Sequence, residues 1–322
     1  MLEAMMTAKV GDDVFREDPT VNQLEARIAE MFGKRNALFF PSGTMANQTA
    51  IKLHTSPGDQ VICDKYAHIY NYESGGASFN SGVSCKLIDG EGGKFKASQV
   101  IDAINPEAYY YSQSQLVEIE NTTNKGGGAC WDFDEILKIK KVCNANNLGF
   151  HLDGARLWNA LVSKDETTEQ YGKAFDTISV CLSKGLGCPV GSLLIGDSDI
   201  MDNAIRIRKI FGGNMRQAGF LAAAGLYALD NNIARLDEDH KKAKEIETVL
   251  KTLSFIKIVE PVETNIIIFE LQNDYSSSDF LNQLQSKGIH IIEMGENKLR
   301  IVTHLDYNDE MHSFLLETLL SL

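Results

Sequence analysis

The sequence predicts an α/β fold: a doubly wound, mostly parallel sheet followed by a smaller C-terminal α+β domain. Three observations carry this. Short, nearly continuous apolar runs, such as residues 37–40 and 178–182, alternate with helical patterns, as strands buried on both faces do. The chain has 322 residues, enough for about two domains. Its texture changes after Asn232, where charged helix and paired strands replace the alternation. The expected domains are therefore residues 1–232 and 233–322.

The first clear helix follows Asp18-Pro19. Thr20 and Gln23 have capping-box spacing, Val21, Leu24, Ile28 and Phe32 share one helical face, and Gly33 supplies the stop. Residues 36–40 read as a strand, 42–54 as a helix, 60–63 and 116–120 as strands, and 133–144 as a helix. Strands over 148–153, 177–182 and 191–195 complete the first domain. A long charged helix over 233–253 then leads into strands 256–260 and 265–271. A helix over 278–287, strands 290–294 and 298–304, and an amphipathic helix over 308–320 finish the chain.

Composition narrows the function. With 43% hydrophobic and 23% charged residues the chain is an ordinary globular one. Thirty-one basic against 44 acidic residues give −13, a field that repels phosphate backbones and disfavours a nucleic-acid partner. The six cysteines include no C-x-x-C pair, and the first thirty residues carry no secretory pattern. The longest apolar stretch, near 219–229, is far short of the ~20 residues that span a bilayer. A cytoplasmic protein with no membrane partner is expected.

Ligands of such sheets sit beyond the carboxyl ends of the strands. There the sequence places Pro41-Ser42-Gly43-Thr44, opening a helix whose free N–H groups suit phosphate. It also places Asp153, followed by Gly154-Ala155-Arg156, and Ser183-Lys184-Gly185. Each has a plainer reading: a capped turn, a structural Asp–Arg pair or helix cap, a surface lysine. Together they fit pyridoxal phosphate, which needs a lysine for its aldehyde, a carboxylate for its ring nitrogen and an anion cradle.

The residues also carry a resemblance. The runs VGDDVFREDPT, FPSGTMANQ, IENT, HLDGAR, CLSKGL, GGNMRQAG and LRIVTH, with the stretch from His68 to Glu73, resemble the low-specificity threonine aldolases. These are pyridoxal-phosphate enzymes of the aspartate-aminotransferase fold type, and the runs occur in family order over essentially the whole chain. The resemblance implies that Lys184 carries the imine, Asp153 pairs with the ring nitrogen, and Arg156 binds near the phenolic oxygen. Gly43, Thr44 and Ser183 would hold the phosphate, and His68 would stack on the ring and move a proton. Arg300 would fork onto the substrate carboxylate. Tyr72 and Arg216 resemble residues that approach the site at a subunit interface, implying a homodimer or homotetramer.

The implied reaction cleaves threonine and related β-hydroxy-α-amino acids to glycine and an aldehyde, with no metal. Rivals are a β-eliminating lyase of the tryptophanase type and a non-catalytic homologue. Family members often have a histidine where this chain has Thr123, expected to meet the substrate hydroxyl. In the family an Arg-Ser-Asp-Thr-type segment also precedes the stretch matched by residues 1–14, so the true start is expected upstream.

Overall fold

The computed structural model describes residues 1–295 and 297–322. Strands β1 (Asn36–Phe40), β2 (Gln60–Asp64), β3 (Ser84–Ile88), β4 (Ser114–Glu120), β5 (Gly149–Gly154), β6 (Thr177–Cys181) and β7 (Ser192–Gly196) form one sheet. Their order is β1-β7-β6-β5-β4-β2-β3. Only β7 runs against its neighbours, pairing antiparallel with β1 and β6; the pairings of β2 through β6 are parallel. The carboxyl ends of β1, β2, β4, β5 and β6 therefore gather at one edge. Sequence pattern overlooks β3, since Ser84-Cys85-Lys86 on an exposed edge carries no apolar run.

The two faces of this sheet differ. Val117, Ile119, Phe150, Leu152, Ile178 and Val180 point into the main core, where they meet helices such as Pro19–Met31, Phe133–Ala145 and Leu157–Lys164. The alternate residues, Glu118, Glu120, His151, Asp153, Thr177 and Ser179, are polar yet buried. Helix Gly43–His54 packs over the polar face and contacts β4, β5 and β6. Strands covered on both sides are expected from the topology; a polar inner face is not, and it requires hydrogen-bond partners.

The C-terminal part builds a second, antiparallel sheet, β10-β11-β9-β8, from β8 (Ile256–Val259), β9 (Ile266–Leu271), β10 (Ile292–Glu293) and β11 (Lys298–Val302). Helices Leu236–Leu250, Ser277–Ser286 and Asp309–Leu320 join a separate core containing Ile246, Phe269, Phe280, Leu299 and Leu315. Two elements are shorter than the pattern suggests. Residues 232–235 are turn and bend, so the long helix opens at Leu236. Gly288, at φ +78°, and Ile289 close the preceding helix with bonds back to Gln285 and Leu284, leaving β10 two residues.

The first long helix is capped differently from the Thr20–Gln23 pattern. Pro19 occupies its first position, having no N–H to satisfy, so Asp18 becomes the cap. One Asp18 oxygen accepts from Thr20 N and Val21 N, and the other from Gly11 N and Gly219 N. Thr20 turns its hydroxyl to the Lys9 carbonyl instead. Asp18 is fully buried and ties the start of helix Gly219–Asn231 to that of Pro19–Met31. Asp18→Ala leaves four N–H groups without their acceptor and should cost at least about 3 kcal/mol in urea unfolding. Asn308→Ala, removing an exposed cap, should cost about 1 kcal/mol. Equal losses would refute this role for Asp18.

Candidate active site

A cavity of about 220 Å³ opens at the edge where the strands end, lined by Gly43, Thr44, Asn47, His68, Asp153, Cys181, Ser183 and Lys184 among others. Six of these come from the residues picked out by sequence: Gly43, Thr44, His68, Asp153, Ser183 and Lys184.

Asp153 leaves β5 at 2% exposure. One oxygen accepts from Asn47 Nδ2 at 2.7 Å and the other from Ala155 N at 3.0 Å. Among the described residues no lysine or arginine forms an ion pair with it. The structural Asp153–Arg156 pair is thus not formed; the Arg156 guanidinium reaches Asn124 Oδ1 at 3.4 Å. A buried carboxylate with two hydrogen bonds and no cation is suited to receive a charged N–H from a ligand.

Helix Gly43–His54 starts at the exit of β1. Ser42 caps it by accepting from Met45 N, and Ala46 N takes the Ser42 carbonyl. The N–H groups of Gly43 and Thr44 have no partner among the described residues and lie at the cavity wall. Gly43 is required by space, since a Cβ there would stand 2.9 Å from Cys181 Sγ. This is an anion cradle built from backbone. Across from it Lys184, half-buried, brings Nζ to 3.4 Å from Cys181 Sγ. Amine, unpaired carboxylate and anion cradle around one cavity fit pyridoxal phosphate.

His68 starts a short helix, His68–Asn71. Its Nδ1 lies 3.0 Å from Glu73 Oε1, and its backbone N donates to Glu120 Oε2 at 3.2 Å. Glu73 is buried and also accepts from Asn47 and Gln48. The Glu73 hydrogen bond, reinforced by the charges of Asp153, Glu73 and Glu120, raises the imidazole above its ordinary value. Tyr72 packs beside His68, ring centres 5.6 Å apart. Desolvation, then the Asp153 charge, pushes the buried Glu120 up to about 7.

Two arginines feel these carboxylates. Burial lowers Arg156. Burial, and then the neighbouring Arg156 charge, pulls Arg300 down to about 10, with Tyr72 and Glu120 opposing. Arg300 Nε is buried without a partner among the described residues.

Five expected residues do not line this cavity: Arg156, Arg300, Tyr72, Thr123 and Arg216. Thr123 is 2% exposed, its N–H and hydroxyl both turned to the Ala129 carbonyl. The glycine-rich turn that follows folds it inward, against the expectation of a substrate contact. From the same loop Lys125 instead places Nζ 5.4 Å from the Tyr72 ring centre. Arg216 is exposed, with its guanidinium on Asp12, and does not line this cavity.

Sequence pattern assigns no role to Asn47, Glu73 or Glu120. Asn47 lies one helical turn past Gly43, and Glu120 ends β4 as Asp153 nears the end of β5. Both placements are readable once the helix and the strand register are known.

Comparison with known proteins adds an independent line. Residues 1–274 match the family model Beta-eliminating lyase. The chain is 38% identical over 311 residues to low-specificity L-threonine aldolase 1 of Arabidopsis thaliana, covering 94% of this chain and 87% of that protein. It is also 38% identical to the low specificity L-threonine aldolase of Escherichia coli K12, covering 96% and 91%. A threonine aldolase structure from Leishmania major superposes with a TM-score of 0.84 at 22% identity, over 98% of this chain and 92% of that one.

In the cofactor-free protein, NMR titration should find His68 above the ordinary imidazole value of about 6.5. Glu73→Gln should lower it. The pair's contribution to stability is full below the unfolded imidazole's value and fades as pH rises through the folded one. A His68 titration unchanged by Glu73→Gln would show that the hydrogen bond does not set the imidazole's charge.

Proposed function

The chain belongs to the Beta-eliminating lyase family, and on that premise we propose that it is a pyridoxal-phosphate-dependent carbon–carbon lyase. Its substrates in this reading are threonine, allo-threonine and related β-hydroxy-α-amino acids, cleaved to glycine and an aldehyde. The observation that carries the reading is the buried Asp153 carboxylate, in no ion pair with lysine or arginine among the described residues, sharing one cavity with the Lys184 amine.

Pyridoxal phosphate, when bound, supplies an aldehyde for an amine and a ring that withdraws electrons from the substrate Cα. Lys184 is the amine that holds that aldehyde. Asp153 keeps the proton on the ring nitrogen, Arg156 binds the phenolic oxygen, and the Gly43 and Thr44 N–H groups with Ser183 hold the phosphate. Arg300, with an unspent Nε, takes the substrate carboxylate, a task that suits a guanidinium fork. His68 donates from Nδ1 to Glu73, which leaves Nε2 as the basic atom of the neutral ring. It takes the proton of the β-hydroxyl there, directly or through one water. Tyr72 flanks that imidazole.

Arg216, which does not line its own chain's cavity, is assigned to a neighbouring subunit's site in a homodimer or homotetramer. We divide the chain near residue 232, between the two sheets. Six free thiols and, among the described residues, no helix long and apolar enough to cross a membrane agree with a cytoplasmic location.

The family's description favours one rival, β-elimination, and the products separate the two. Carbon–carbon cleavage of threonine yields glycine and acetaldehyde, whereas β-elimination yields ammonia and a 2-oxo acid. With the four threonine stereoisomers, glycine and acetaldehyde should appear in equal amounts from at least one, and Lys184→Ala should abolish turnover. Ammonia and oxo acid as the main products would overturn the aldolase reading.

A further inference from the structure

Under the cofactor cavity one side-chain amide joins the two halves of the machinery. Asn47 is 2% exposed. Its Nδ2 donates both to Asp153 Oδ2 at 2.7 Å and to Glu73 Oε1 at 3.0 Å. Its Oδ1 faces Ser179 Oγ at 2.6 Å and His151 Nε2 at 3.2 Å. All four bonding positions of the amide are used, which fixes its orientation.

The partners on the far side set a direction. His151 is fully buried and His54 half-buried, and desolvation pulls them down to about 3 and about 4, so both rings are neutral near neutral pH. Asn47 Oδ1 can only accept, so Ser179 Oγ and His151 Nε2 donate to it. His151 Nδ1 lies 2.9 Å from Thr177 Oγ1 and 3.2 Å from the Thr177 carbonyl oxygen, and Thr177 Oγ1 lies 2.9 Å from His54 Nε2. With Oδ1 taken by these donors, Nδ2 faces the carboxylates, and Asp153 and Glu73 both accept from it.

We propose that Asn47 is a positioning residue: its single amide holds the ring-nitrogen carboxylate, Asp153, and the orienting partner of His68, Glu73, in fixed relation as two separate anions. This rests on the cofactor reading given above. Without the amide, two buried carboxylates lose the donor they share. One of them then takes up a proton and stops serving its partner. The charged groups facing the amide are Asp153 from β5 and Glu73, with His68 behind it; Glu120 from β4 adds its charge to the same imidazole.

The test uses Asn47→Ala and the equally sized Asn47→Asp, checked for fold by circular dichroism, with cofactor affinity read by absorbance titration. At about pH 8 both should bind pyridoxal phosphate about ten- to a hundredfold more weakly than wild type. A carboxyl set between two carboxylates is raised, so Asp at position 47 regains a donor hydrogen at about pH 6. Relative to wild type at each pH, Asn47→Asp should recover most of its affinity there and Asn47→Ala none. If Asn47→Ala does not fold, Asn47→Asp decides alone. Affinity within about twofold of wild type at both pH values, or no recovery of Asn47→Asp in acid, overturns the inference. A wild-type protein that takes up no cofactor rejects the reading of the site, and the inference with it; a loaded wild type beside unaffected variants rejects the inference alone.

Discussion

The arrangement of this molecule follows from burying charge on one face of a parallel sheet. Glu118, Glu120, His151, Asp153, Thr177 and Ser179 share that face with almost no exposure; neither Glu118 oxygen has a partner among the described residues, and burial raises that carboxyl well above the usual range. An unpaired buried polar group costs about 1–3 kcal/mol, and a charged one more. Helix Gly43–His54 therefore cannot be the usual apolar lid. It lays a stripe of Gly43, Asn47 and His54 along the sheet, and each meets a strand at short range. Gly43 leaves room for Cys181, Asn47 bonds Asp153, Ser179 and His151, and His54 reaches Thr177. Gly149 belongs to the same fit, since a Cβ there would come within 2.4 Å of His54 Nδ1. Asp153 can remain an acceptor at the cavity floor because the network beneath it supplies donors.

Charges of both signs meet at the site: Asp153, Glu73 and Glu120 act on the His68 imidazole, and the charge of Arg156 acts on Arg300 with Glu120 opposing. In our reading Asp153 would serve the cofactor's ring nitrogen and Arg300 the substrate carboxylate. His68 is held by Glu73 and flanked by Tyr72. Its raised affinity for a proton means that its basic form grows with pH, so the base step should strengthen on the alkaline side of its titration.

Much of this was legible in the sequence. Apolar runs at β1, β6 and β7 and the residues just beyond the strand ends located the sheet and the cavity, because burial on both faces leaves a local signal. Edge strand β3 was not legible, since its pairing with β2 is non-local and its own residues are polar. Nor was the cap at Asp18, where Pro19 overrides the Thr20–Gln23 spacing. Thr123 shows the limit of reading by position: the turn through Gly126, Gly127 and Gly128 folds its side chain inward, which depends on three glycines placed against Gly92 and the second sheet. Asn47, Glu73 and Glu120 gain meaning only from register and packing, which no single segment encodes.

The central claim is that Asp153, in no ion pair with lysine or arginine among the described residues, serves the ring nitrogen of a bound cofactor. Nitrogen-15 NMR of the protein loaded with ring-labelled pyridoxal phosphate tests this most directly. Wild type should show a protonated, pyridinium-type nitrogen at neutral pH, and Asp153→Ala should retain the cofactor with an unprotonated, pyridine-type one. A pyridine-type nitrogen in wild type, or a signal unchanged by Asp153→Ala, would contradict the account.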